Sequence, residues 1–191
     1  MLKDLIIASR SYRSFDRTVP VTKEMLCDWV DHARLSPSSI NLQMLKYRIV
    51  YKEDECHAVL PLTRWAGKLK DIKLPPEGHA PVAYVIICAD TAVSNAAESF
   101  QKDVGICAQS IMLAAAEQGF GGCMIGSFSP AEISSVLGLC DNLKPMLVLA
   151  LGKPDEEVCL AAPAEDGSVT YYRENGIHYV QKRALKDLIV E

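Results

Sequence analysis

Apolar residues recur at helical spacing along TKEMLCDWVDHARL (22–35), where Met25, Leu26, Trp29, Val30 and Ala33 share one face. Leu2, Leu5 and Ile6 predict a shorter helix over 2–9 in the same way. Ser36-Pro37-Ser38-Ser39 ends the longer helix, because a residue before proline avoids the helical region. A strand is expected at 47–52 (YRIVYK), and a helix over 54–71 broken by Pro61. The runs VAYVIICA (82–89) and MLVLALG (146–152) read as strands buried on both faces. Between them, residues 95–118 predict a long helix. Its second half, VGICAQSIMLAAAEQG, is apolar on nearly every side, so it must lie in a core or an interface. Gly119 suits the position after that helix, and GGCMIG (121–126) then enters a strand or extended turn.

Ser129-Pro130-Ala131-Glu132 has the spacing of a capping box with proline at the first helical position, starting a helix that ends near Gly138. Residues 152–167 read as an acidic loop. Asn175-Gly176 marks a turn between alternating aromatic segments, and ALKDLIV as a terminal helix. Helices and strands alternate without a β-α-β rhythm, which favours an α+β fold over a doubly wound sheet.

Composition narrows the class. A length of 191 residues predicts one domain, 1–191, with a sizeable core. With 20 Lys+Arg against 24 Asp+Glu, the charge of −4 argues against a nucleic-acid partner. No apolar run approaches the ~20 residues that span a bilayer, so no membrane is expected. The start, with an acid at its fourth residue and no long apolar stretch, does not read as a signal peptide. The seven cysteines are odd in number and form no C-x-x-C, which fits buried reduced thiols in a cytoplasmic protein. The four histidines lack metal-ligand spacing, so no metal is expected.

Four segments could carry chemistry, and each has a plain alternative. Arg10-Ser11-Tyr12-Arg13 offers two guanidinium forks and hydroxyls beside a helix end, a phosphate cradle or else a solvated basic turn. Ser36 to Gln43 is dense in hydroxyl and amide groups that could bind a polyol or a heterocycle edge, or else a polar turn after a helix. The glycines from Gly119 to Gly126 would let backbone approach a flat ligand, or else form a cap and a tight turn. Lys182-Arg183 alone is a surface charge pair. Gly119-Phe120-Gly121-Gly122 follows a helix rather than opens one, which argues against a dinucleotide fingerprint; Gly152-Lys153-Pro154 lacks the upstream glycine of a P-loop, and no G-x-S-x-G elbow exists.

In this order and spacing, RSYRSFD, LSPSSINLQMLKYRIV, DVGICAQSIMLAAAEQGFGGCMIG, LVLALGKPDE and GIHYVQKRALKDLIV resemble the nitroreductase family of FMN-dependent oxidoreductases. The resemblance covers nearly the whole chain. It implies an α+β fold with a central, mostly antiparallel sheet flanked by helices. It also implies a homodimer joined by long helices, with FMN at the subunit interface and the segment from about 155 to 191 extended over the partner. Carried over by position, Arg10, Ser11 and Arg13 would bind the cofactor, Arg13 toward the ribityl chain and the C2 carbonyl. Arg10 with Lys182 or Arg183 would hold the phosphate. Pro37, Ser38, Ser39, Asn41 and Gln43 would meet the flavin partly from the other subunit, while Gly122, Met124, Ile125 and Gly126 would lie over the ring near N5. One of Lys68, Lys70 or Lys73 would stand near N1.

The chain departs from many relatives at Ser9, which replaces a basic residue, and at Met44-Leu45, which replace proline and tryptophan. It is also short between Asp90 and Asp103, where longer relatives roof the site. The implied activity is ping-pong hydride transfer from NADH or NADPH through flavin N5 to a nitroaromatic, a quinone or another small flat acceptor. No protein residue would be catalytic, since the cofactor carries the chemistry. Reductive dehalogenation, flavin fragmentation and non-catalytic flavin binding remain the alternatives.

Overall fold

The computed structural model describes residues 1–69 and 72–190. Five helices are present among them: α1 (Leu2–Ala8), α2 (Lys23–Arg34), α3 (Glu53–Val59), α4 (Gln101–Glu117) and α5 (Pro130–Val136). The strands are β1 (Phe15–Asp16), β2 (Leu45–Val50), β3 (Ala83–Asp90), β4 (Gly121–Ile125), β5 (Leu143–Pro154), β6 (Glu157–Ala161), β7 (Tyr172–Glu174) and β8 (Ile177–Gln181).

The main sheet is antiparallel throughout. β3 lies between β2 and β5, and the far edge of the long β5 pairs with β4 over Val148–Gly152 and with β1 over 153–154. Every residue of β3 is buried, as its unbroken apolar run requires. Strand alternation then sorts its side chains. Ala83, Val85 and Ile87 pack with Leu26 and Trp29 of α2 and Val104, Ala108 and Ile111 of α4. Tyr84, Ile86 and Cys88 pack with α3 and with Ile133 of α5 on the other face. The sheet therefore sits between two helical layers, and α4 is the buried helix of one of them.

A second sheet, in the order β6-β8-β7, pairs β6 and β8 in parallel and β7 and β8 as a hairpin. Asn175 and Gly176 both adopt positive φ in its turn, as a two-residue hairpin of the right twist demands. Tyr172 and Tyr179 stack across the hairpin at 5.0 Å.

Several expectations need correction. The acidic stretch after Pro154 contains β6, because its mostly apolar residues 158–161 find a partner strand in β8. Helix α4 begins at Gln101 after a 3-10 turn over Ala97–Phe100. The helix expected over 54–71 is α3 alone, followed by a 3-10 turn at Leu60–Leu62, since Pro61 cannot donate to continue it. Lys70, and the end of that expected helix, lie outside the described residues. β2 runs two residues earlier than expected. Ser129 makes no side-chain cap at α5; proline alone marks the start of that helix. ALKDLIV forms only a 3-10 turn at Leu185–Asp187.

Candidate functional site

The loop between α1 and β1 is pinned from three directions. Arg10 turns back to donate from Nη2 to the Ile6 carbonyl at 2.5 Å, and the Tyr12 hydroxyl donates to the Ala8 carbonyl at 2.9 Å. Both satisfy carbonyls that the end of α1 leaves open. Tyr12 also donates its amide to Gly122 of β4 at 2.9 Å. The carboxylate of Glu156, just past β5, accepts the amides of Arg13 and Ser14 and the guanidinium of Arg173 from β7. One buried anion thus ties the N-terminal loop to the C-terminal sheet.

Arg13 is 8% exposed. Its Nη1 donates to the Ser11 carbonyl and to Nε2 of His178, both at 3.1 Å, and its guanidinium lies 5.3 Å from the centre of the Tyr171 ring. A guanidinium can only donate, so His178 Nε2 accepts and the imidazole is neutral. Burial, then the charges of Arg13 and Arg173, push the His178 pKa down to about 4. Tyr171 meets the same imidazole edge-on at 5.4 Å.

A cavity of about 340 Å³ opens beside this cluster. Arg10, Ser11, Arg13 and Lys182 line its cationic side, and Met124 of β4 and Met112 and Gln109 of α4 line another. Arg10 Nε and Arg13 Nε are buried and have no partner. Among the described residues no carboxylate lines the cavity. Two arginines and a lysine around one open cleft fit a ligand with an anionic group, and the neighbouring thioether side chains fit a polarizable aromatic body. The residues present therefore suit a flavin mononucleotide. The volume lies at the lower end of ligand clefts, about 300–1,000 Å³, so a ligand of that size would need a further wall.

The structure gathers Arg10, Ser11, Arg13, Met124 and Lys182 at this cavity, and it leaves other sequence candidates elsewhere. Arg183 is exposed and does not line it. Ile125 points into the core beneath the sheet, with Cys123 and Val148. The glycines answer to packing within the chain. A Cβ on Gly121 would strike the Tyr12 ring, and one on Gly122 would strike the Ala150 carbonyl oxygen, whereas one on Gly126 would meet nothing within 4 Å. Lys68 and Lys73 do not line the cavity either.

Residues 36–43 form a separate cluster. Ser36, Ser38 and Gln43 border a second cavity of about 200 Å³ with Lys46, Tyr47 and Asp103. Asp103 and Gln109 stand six residues apart on α4, roughly 9 Å along its axis, so the two cavities flank one helix. Pro37 and Asn41 border neither cavity.

Sequence reasoning missed Tyr171, His178, Glu156 and Arg173. One signal was legible: His178, Val180 and Lys182 alternate along β8 and its extension, and all three reach the same cavity. The four buried thiols offer no rival chemistry. Burial pushes Cys56 and Cys88 up to about 12 and raises Cys107 and Cys123, so these groups stay protonated. Among the described residues no metal-binding cluster occurs, and no helix is long and apolar enough to cross a membrane.

A family model described as the nitroreductase family matches residues 6–153. A Bacillus subtilis protein named as an NAD(P)H nitroreductase is 22% identical over 177 residues, covering 78% of this chain and 88% of that protein. A Vibrio harveyi NADPH-flavin oxidoreductase is 28% identical over 167 residues, 80% of this chain and 65% of that protein. Among solved structures, an Exiguobacterium sibiricum nitroreductase homologue in complex with FMN superposes with a TM-score of 0.68 at 18% identity, covering 82% of this chain and 89% of that one. A Parabacteroides distasonis homologue gives 0.65 at 21% identity, covering 91% and 97%.

Proposed function

The chain belongs to the nitroreductase family, and from that premise we propose that it is an FMN-dependent oxidoreductase. It takes electrons from NADH or NADPH and reduces nitroaromatics, quinones or similar flat acceptors. The observation that carries this reading is the cavity bounded by Arg10, Arg13 and Lys182. Cations from both ends of the chain converge there, and among the described residues no carboxylate lines the cavity. The FMN complex of the Exiguobacterium sibiricum homologue supports the choice of flavin, and the names of the two curated relatives support NAD(P)H as donor.

FMN, when bound, would supply the hydride chemistry, for which no side-chain acid or base is needed. The chain's residues bind and orient. Arg10 and Lys182 would hold the phosphate. Arg13 would place positive charge against the electron-rich edge of the ring, where it favours the reduced form. Its buried guanidinium cannot swing freely, because His178, Ser11 and Tyr171 hold it. Met124, more than a third exposed on β4, would cover part of the ring.

The reading includes a homodimer. The solvent-facing side of α4 carries Gly105, Ile106 and Gln109, and Ile106 is an apolar residue exposed there. A second copy laid there would bury it and give the open cleft its missing wall. Seven free thiols fit a reducing, cytoplasmic setting. The test is spectroscopic. Purified protein, supplied with FMN, should be yellow and should bleach on adding NADH or NADPH under argon. A yellow protein that never bleaches would instead be a flavin carrier.

A further inference from the structure

Asp103 opens the first turn of α4 and is 2% exposed, yet it lies away from the cationic cavity. Its Oδ2 accepts the Ser38 hydroxyl at 2.8 Å and the Ser39 amide at 2.9 Å, and its Oδ1 accepts the Ser39 hydroxyl at 2.5 Å. Burial raises its pKa, but the bonds from Ser39 and Ser38 outweigh that and hold the carboxyl below its ordinary value. It is thus an anion at neutral pH, fully engaged by one loop.

The same face of α4 laces the loop further. Cys107, four residues on, donates its thiol to the Ala33 carbonyl at 3.7 Å, and Ser110, seven residues on, meets the Ser36 hydroxyl at 2.7 Å. Positions i, i+4 and i+7 form one stripe on a helix. A polar seam therefore holds residues 33–39 along α4.

What the seam holds is strained. Ile40, Asn41 and Gln43 all adopt left-handed backbone, with φ of 50°, 54° and 50°. For a β-branched residue such as Ile40 this is a true outlier, and it stands 89% exposed, with nothing of its own chain packed on it. Such strain persists only where the surroundings over-determine it, and it gathers at functional sites.

We infer that Asp103 is a positioning residue: it consumes the Ser38 and Ser39 hydroxyls itself and thereby sets the Ile40-Asn41 turn outward, where it can reach a flavin bound on a second copy of this chain. The inference rests on the flavin reading above. It reassigns the serines from cofactor contacts to anchors, and it leaves the Asn41 amide and the Ile40 side chain as the groups that the loop presents.

Two measurements separate this inference from the reading beneath it. The first uses apo protein and amide hydrogen exchange. The Ser39 amide bonds to Asp103, and the Gln43 amide bonds to Ser38 Oγ at 3.1 Å. Asp103→Ala should accelerate exchange at both at least ten-fold while β3 amides keep their rates. Unchanged exchange at Ser39 and Gln43 overturns the inference whether or not flavin binds.

The second is FMN titration. Asp103→Ala should raise the Kd at least ten-fold with an unchanged far-UV spectrum, and Asp103→Asn, which keeps an acceptor for one serine, should recover part of the loss. Replacing Ser38 and Ser39 by Ala should add little in the Asp103→Ala background, because the residues act as a unit. If the serine pair costs as much there as in wild type, the serines touch the ligand directly and the inference falls. If wild-type protein takes up no FMN, the cofactor reading fails, and hydrogen exchange alone still decides whether Asp103 clamps the loop. Should Asp103→Ala not fold, Ser39→Ala carries both readouts.

Discussion

The guanidinium of Arg13 meets the imidazole of His178 at 3.1 Å, joining a loop at the start of the chain to a strand near its end. A cation facing an imidazole keeps that imidazole neutral, and Arg173 on the neighbouring strand adds to the effect. The C-terminal sheet is thereby made one wall of the cationic cavity.

This pair predicts a pH dependence. The folded pKa of His178, about 4, lies below the ordinary histidine value near 6.5. Only the unfolded chain gains a proton between these values, so His178 stabilises the fold above pH 6.5 and that contribution drains away as pH falls toward 4. The loss is on the order of 3 kcal/mol by linkage. Urea denaturation at pH 7 and pH 4.5 should show a larger fall for wild type than for His178→Gln. Equal falls would mean that the imidazole is already charged in the fold.

Glu156→Gln should be among the most damaging isosteric changes. It removes the charge that faces Arg173 and weakens the acceptor shared by the Arg13 and Ser14 amides. Breaking a buried ion pair from one side costs about 3–5 kcal/mol. The midpoint of urea unfolding reads this directly. A variant within experimental error of wild type would show that the carboxylate does not tie the two chain ends together.

Lys182 and Arg183 should behave differently although they are adjacent. Only Lys182 lines the cavity. Removing one charge-assisted bond costs about 1.5–3 kcal/mol, so Lys182→Ala should weaken FMN binding by roughly 10- to 100-fold, whereas Arg183→Ala should leave it within about two-fold. Fluorescence titration with free FMN separates them. The opposite ranking would place the phosphate elsewhere.

The glycines divide in the same manner. Gly122→Ala forces a methyl group into the Ala150 carbonyl oxygen, between two strands that cannot part, and should abolish soluble expression. Gly126→Ala meets open space and should leave thermal stability within about 0.5 kcal/mol of wild type. Any loss of FMN affinity in Gly126→Ala then reports on the ligand rather than on the fold.

Much of the fold was legible because burial writes a strong periodic signal. The continuous apolar runs of β3 and β5, the face of α2 and the Asn175-Gly176 turn all stand in the structure. Weakly patterned segments were not legible. β6 hid in an acidic stretch, since its pairing with β8 is set by residues twenty positions away. For the site, local chemistry marked Arg10, Ser11, Arg13, Met124 and Lys182. It could not mark Glu156 or His178, whose importance arises only when distant segments meet. The close approaches of Gly121 and Gly122, to Tyr12 and Ala150 of the chain itself, were hidden for the same reason. Ser38 and Ser39 read as free hydroxyls until Asp103, more than sixty residues on, is brought against them.

The central claim is that the cleft between Arg10, Arg13 and Lys182 holds FMN that exchanges electrons with NAD(P)H. It is tested most directly by titrating purified protein with FMN, recording the visible spectrum, and then adding NADH and NADPH separately without oxygen. The account predicts saturation near one FMN per chain and loss of the flavin absorbance with at least one of the two nucleotides. Protein that stays colourless through micromolar FMN would contradict it.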